Sequence, residues 1–189
     1  KNLPTWVNEY NAQKVSDKFF AQDWNTLYPI SSYINSDSDN VNYEGRFKGE
    51  TTSAFPHLTK QYIGKNYEMI KSLPYGNTMT IDFAKLAVQN ENLGKDAITD
   101  FLAISCSATD YVGHQFGPNS IELEDTYLRL DKDLEELFNY LDKTVGKGNY
   151  LFFISADHGV AHAPEFLSKN NIPTERYTTR AAVKGLDSL

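Results

Sequence analysis

The sequence holds one cysteine, Cys106, among 189 residues. No disulfide can close within such a chain, and every zinc-finger spacing built on thiolates is excluded. Long apolar runs are missing as well: nothing approaches the roughly 18 consecutive apolar residues that a membrane-crossing helix requires. No membrane span is therefore expected. Basic residues are the minority charge, 18 Lys and Arg against 25 Asp and Glu, for a formal net charge of −7. A protein that grips duplex nucleic acid by its phosphates needs clustered Lys and Arg, and the sequence shows no such runs. The opening residues Lys1-Asn2-Leu3-Pro4 lack the apolar stretch of a signal peptide, as a mature or excised chain would. Apolar residues themselves are not scarce. At 40% hydrophobic and 13% aromatic, spread along the whole length, they offer enough surface on collapse to offset the lost chain entropy. The length suits one domain with a substantial core, or two small ones.

Residues 1–73 read as a helix followed by an irregular insertion or lid-like segment. Pro4 suits a first turn, and Trp6, Tyr10 and Phe19-Phe20 recur near helical spacing over the first twenty residues. From Tyr28 to Phe55 the periodicity dissolves into a polar stretch rich in Ser, Asn and Asp, with room for one short strand. Residues 74–189 read as an α/β core segment, and the two parts together as one compact fragment. Asn77 is placed to cap a helix running to about Asn92, ended by Gly94. Phe101 to Cys106 is a short apolar run of the kind that forms a strand buried on both faces. Asn119 with Glu122 fits a helix start, and Leu123, Tyr127, Leu130, Leu134, Leu137, Leu141 and Val145 mark one apolar stripe up to Gly146. Tyr150 to Ser155 is a second buried strand. Strand, long helix and strand form a βαβ unit, so the expected architecture is a parallel sheet flanked by helices. No internal repeat or low-complexity tract interrupts it.

Three of the four histidines fall just past those two strands. The first runs into Asp110 and His114, the second into Asp157, His158 and His162. In parallel α/β sheets, ligands bind in the crevice outside the carboxyl ends of the strands. Carboxylate and imidazole without thiolate form a donor set for zinc or another first-row divalent ion in an open, catalytic site. Asp110 and His114, four apart on a turn, can grip one ion; Asp157 and His158 can hold a second. Two ions roughly 3.5–4 Å apart make the clamp used in phosphoryl transfer. Gly113 and Gly159 are read as relieving the backbone beside these ligands. A single Asp-His pair after a strand is ordinarily a cap or a hydrogen-bonded pair; two such pairs after adjacent strands turn the reading toward metal. His162 reads as structural or supporting, His57 as a loop residue without a role, and Cys106 as packed core. Asp131, Asp133, Glu135 and Glu136 read as the solvated face of the long helix. Tyr75, Tyr111 and Phe116 are aromatic core or the lining of a pocket.

The run Thr109-Asp110-Tyr111-Val112-Gly113-His114-Gln115-Phe116-Gly117-Pro118, followed by the long helix and by Ser155-Ala156-Asp157-His158-Gly159, resembles the alkaline phosphatase superfamily. Within it the chain is similar to the type I phosphodiesterase and nucleotide pyrophosphatase branch, and to bacterial phosphate-irrepressible zinc alkaline phosphatases. Pro74-Tyr75-Gly76-Asn77 and Asp125 to Asp131 belong to the same likeness, whose specific part covers about residues 74–168, with only a loose likeness before it.

The resemblance implies an alkaline-phosphatase-like core in which Asp110 and His114 bind one zinc and Asp157 and His158 another. It implies a small-molecule phosphate ester as substrate, monoester ahead of diester, and a periplasmic or extracellular parent protein. In that family a Thr or Ser attacks phosphorus and a phosphoryl-enzyme is then hydrolysed. No residue here matches that nucleophile, and Thr109 stands in the wrong motif. The catalytic nucleophile is therefore expected outside this chain, which reads as an incomplete catalytic fragment without turnover of its own. The stretch from Arg176 to Leu189 reads as the start of further structure. The alternatives are a degenerate metal-binding interaction domain and a sulfatase-type hydrolase of the same superfamily, whose modified Cys or Ser motif is absent here.

Overall fold

A computed structural model describes residues 2–175, so the stretch from Arg176 to Leu189 lies outside the described residues. Two helices, α1 (Thr5–Ala12) and α2 (Val15–Phe20), replace the single N-terminal helix expected, because Lys14 between them takes a left-handed conformation with φ of 48°. Trp6 and Tyr10 of α1 pack on the Phe83 ring with centroids 5.0 and 5.2 Å away. Phe83 belongs to α3 (Tyr75–Asn90), which begins ahead of Asn77 rather than on it. The chain then forms α4 (Ala108–Phe116), α5 (Ile121–Leu141) and α6 (Pro164–Lys169).

The long helix follows its apolar stripe. Ser120 Oγ accepts from the Leu123 amide at 3.2 Å, which satisfies one of the free N–H groups of the first turn. Past Leu141 a single π turn carries the chain to Gly146. Leu123, Leu130 and Leu137 are buried, each contributing roughly 1.5–3 kcal/mol. Tyr127, expected in the same stripe, is 57% exposed instead. Asp133 also departs from the expected solvated face. It is half-buried, accepts from Thr78 Oγ1 at 2.9 Å, and burial lifts its carboxyl to about 6.

The expected β-strands are not formed. Among the described residues no ladder exists, and the β pairing present is an isolated bridge between Trp24 and His57. Residues 101–106 touch the helices on one side only: Ile104 and Cys106, two apart, rest against Ile81, Leu130 and Leu137. Phe101 stays 79% exposed, and in the second run Leu151, Phe153 and Ile154 are 90, 72 and 68% exposed. Phe152 alone of that run finds a ring, meeting Phe138 edge-on at 4.7 Å. A parallel strand is stabilised by neighbours on both edges and by layers on both faces. Within residues 2–175 these runs have a helix layer on one face and no hydrogen-bonded neighbour.

The irregular stretch after α2 is tied to the helices by buried polar groups. Asp125 of α5, fully buried, accepts from Trp24 Nε1 at 2.7 Å, the Leu27 amide at 2.6 Å, the Tyr33 hydroxyl at 2.5 Å and Arg129 Nε at 2.6 Å. Burial, and then the hydrogen bond to Asp125, push the Tyr33 hydroxyl up to about 12, so it donates at any ordinary pH. No strand forms between Tyr28 and Phe55; a 3-10 turn at Ile30–Ser32 stands there with irregular chain.

His57, which sequence reasoning leaves without a role, is fully buried. Its Nδ1 lies 3.0 Å from Glu50 Oε1 and its Nε2 lies 3.1 Å from Glu122 Oε1. A carboxyl group on each nitrogen favours the doubly protonated ring, in which both nitrogens donate. Burial opposes that charge, but the hydrogen bonds and charges of Glu122 and Glu50 outweigh it and raise the ring to about 9. Trp24, Phe47, Phe55 and Phe116 surround it with centroids 4.9 to 5.2 Å away. The irregular segment is thereby pinned onto the C-terminal turn of α4 and the first turn of α5.

Candidate metal centre

Helix α4 carries two of the expected ligands. Asp110 in its first turn and His114 in its last are four residues apart, so the helix presents both on one face. A helix stands here where a turn is expected, and its pitch imposes the same proximity. Asp110 Oδ1 lies 3.5 Å from His114 Nε2, and 3.5 Å from His158 Nε2 arriving from the loop before α6. Asp157 sits beside them, its Oδ2 3.9 Å from His158 Nε2, with a side chain 91% exposed. His114 and His158 thus each approach Asp110, with Asp157 at the exposed edge, but among the described residues no three such side chains are gathered as a metal ion requires.

The tautomer of His158 follows from its neighbours. The Gly159 carbonyl, 2.8 Å from Nδ1, can only accept, so Nδ1 carries a proton and Nε2 is the nitrogen that meets Asp110. That same carbonyl, with Asp157 and Asp110 nearby, holds the His158 imidazole above its ordinary value. All four side chains are more than 40% exposed, so the cluster opens outward rather than into the core.

The glycines beside the cluster do not relieve the backbone. Gly113 is an ordinary helical residue whose added Cβ would meet Leu123 at normal contact distance, and nothing crowds Gly159. The glycine that fixes geometry is Gly117, with φ of 96°, which ends α4 while its amide donates to the Gly113 carbonyl at 2.8 Å. His162 Nδ1 donates to Asn119 Oδ1 at 2.8 Å, and the ring stacks on Phe166 at 5.1 Å, a structural placement. Of the aromatic candidates, Phe116 and Tyr75 are buried in the core, while Tyr111 is 40% exposed with Lys71 Nζ 4.7 Å from its ring centre.

Both ends of α4 are held from outside. Its own cap residue, Ser107, makes no capping bond. The buried Asn77 of α3 takes that place: its Oδ1 accepts from the Ala108 amide at 3.1 Å, and its Nδ2 donates to Thr109 Oγ1 at 2.9 Å. Asn77 is a cap, then, but of α4 and not of the helix it belongs to. At the far end the Gly45 amide donates to the Gln115 carbonyl at 2.7 Å, and Phe116 sits among the rings around His57.

This helix-and-loop arrangement belongs to a known class. The chain is a member of the type I phosphodiesterase / nucleotide pyrophosphatase family, whose model matches residues 2–187. It is 61% identical over its full length to the alkaline phosphatase PhoV of Synechococcus elongatus, and 52% identical over 99% of its length to a protein of Myroides odoratus described as a calcium-transporting ATPase. It covers 34 and 35% of those two proteins, about a third of their length. The crystal structure of the alkaline phosphatase PafA superposes with a TM-score of 0.89 at 51% identity, over 92% of this chain and 34% of PafA. The likeness therefore extends well ahead of residue 74, where the sequence motifs alone had located it. It also supports an alkaline-phosphatase-like fold, of which the described residues show the helical layer.

Proposed function

We propose that this chain is the metal-holding part of a divalent-metal-dependent hydrolase of phosphoric esters, with Asp110, His114, Asp157 and His158 as the ligands. The observation that carries the reading is the convergence of His114 Nε2 and His158 Nε2 on Asp110 Oδ1, both at 3.5 Å. The support lies in the donor types and their proximity; the described residues do not by themselves gather three ligands around one ion. Carboxylate and imidazole donors fit zinc, and a pair of ions fits four ligands drawn from two separate segments. A pair of divalent ions supplies Lewis acidity toward a phosphoryl oxygen and neutralises charge on the phosphate.

The chain's own residues do the placing. Helix α4 fixes the spacing of Asp110 and His114, while the Gly159 carbonyl keeps the proton of His158 on Nδ1 and leaves Nε2 for coordination. The nucleophile is assigned to a part of the protein outside this chain. Export to the periplasm or cell surface belongs to the same reading and rests on the resemblance to alkaline phosphatases. Among the described residues no helix is long and apolar enough to cross a membrane.

The test is hydrolysis of an aryl phosphate monoester, the matching diester and ATP by the full-length protein, with zinc, with chelator, and with His114→Ala. Monoester turnover that chelator abolishes and His114→Ala reduces at least a hundredfold is the expected result. Preference for ATP would instead align the protein with the description of the Myroides relative. Turnover unaffected by chelator would overturn the reading.

A further inference from the structure

The Pro74-Tyr75-Gly76-Asn77 segment lies outside the ligand set, yet its last two residues are built into the start of the helix that bears Asp110. Gly76 packs so tightly that an added Cβ would stand 2.7 Å from the Ile70 carbonyl oxygen and 3.0 Å from Ala108 Cβ. That close approach brings Asn77, 1% exposed, onto the first turn of α4. A helix N-terminus leaves its first amides without partners, and Ser107, the residue positioned to satisfy them, pairs its Oγ with Ser105 Oγ at 2.9 Å instead. The Asn77 side chain closes this gap with two bonds of opposite sense, accepting from the Ala108 amide and donating to Thr109 Oγ1. Two bonds from one planar amide fix the rotation of a helix about its axis as well as its position. Asp110 follows Thr109 directly, and His114 lies one turn on.

We propose that Asn77 is a positioning residue for the metal site: from α3 it sets the rotation of α4 and so aims Asp110 and His114 at His158. The proposal rests on the reading of Asp110, His114, Asp157 and His158 as metal ligands. Partners hydrogen-bonded directly to a ligand are commonly worth about 10–100-fold in metal affinity; Asn77 acts one step further away, through the helix, and Asn77→Ala is expected to weaken zinc binding by about tenfold, the low end of that range. Asn77→Asp, which keeps an oxygen for the Ala108 amide, should restore affinity to within about threefold of the wild type.

The experiment is a zinc titration of the full-length protein against a competing chelator, with folding followed in parallel by circular dichroism. It compares wild type, Asn77→Ala, Asn77→Asp and His114→Ala. A folded Asn77→Ala protein with wild-type zinc affinity, beside a weakened His114→Ala, would overturn the positioning role alone. Unchanged affinity in both Asn77→Ala and His114→Ala would remove the ligand assignment beneath it. If Asn77→Ala does not fold, Thr109→Val decides. It keeps the cap but removes the other anchor, and a several-fold loss of zinc affinity in a folded protein is expected, with wild-type affinity refuting the proposal.

Discussion

Replacing His57 by Leu tests the buried ionic cluster that fastens the irregular segment to α4 and α5. The substitution keeps an apolar body among Trp24, Phe47, Phe55 and Phe116 but leaves Glu122, fully buried, facing no countercharge. The hydrogen bonds and charges of Glu122 and Glu50 raise His57 from 6.5 to about 9 against the opposing burial, so the charged ring stabilises the folded state. Removing one partner of a buried pair costs about 3–5 kcal/mol, which sets the expected loss. The sign of the pH dependence follows from the direction of the shift. The folded-state value lies above the unfolded one, so the contribution is whole below about 6.5 and is lost as pH rises through about 9.

Urea unfolding of the full-length protein, followed by tryptophan fluorescence and circular dichroism, measures this at acid, neutral and strongly alkaline pH. His57→Leu should lose about 3–5 kcal/mol near neutrality. The gap from wild type should narrow above pH 9, where the wild-type ring has lost its proton. It should narrow again in acid, where Glu122, already raised by burial, takes up a proton in the variant. The double variant His57→Leu/Glu122→Leu should recover much of the loss, since an apolar replacement for a buried pair is often neutral. A loss under about 1 kcal/mol at neutrality, or one that does not vary with pH, would refute the imidazolium account.

Asp125→Ala strands four donors at once and should cost about 3 kcal/mol or more, with faster proteolysis between residues 24 and 33. Asp131→Ala, on the exposed side of the same helix, should leave both readings unchanged. Gly45→Ala places a Cβ against the Gln115 carbonyl, well inside contact distance, and should cost about 1–3 kcal/mol in denaturant titration. Gly159→Ala, with nothing near it, should change stability by less than about 0.5 kcal/mol.

The parts of the molecule legible in the sequence are those settled by near neighbours in the chain. The stripe through Leu123, Leu130 and Leu137 announces α5 because helical periodicity is a local property. Asp110 and His114 announce their proximity because four residues are one helical turn, whether the segment is read as turn or helix. The apolar runs at 101–106 and 150–155 are also visible, but whether such runs pair depends on neighbouring strands, and residues 2–175 supply none. His57 looks like a loop residue because its partners Glu50 and Glu122 lie 7 and 65 positions away, and nothing at that spacing marks an ion pair. Asn77 was legible as a cap by residue type, while the helix it caps, 31 positions on, was not. The signal that would have found both is a polar side chain inside an otherwise apolar or turn-forming stretch, where burial demands a partner.

Metal content tests the ligand assignment most directly. Elemental analysis of the full-length protein, purified with zinc and freed of loosely held ions, should find two divalent ions per chain. His114→Ala and His158→Ala should each lower that number while the fold is retained. A folded wild-type protein without bound metal, or variants that keep the full complement, would contradict the assignment of Asp110, His114, Asp157 and His158 as ligands.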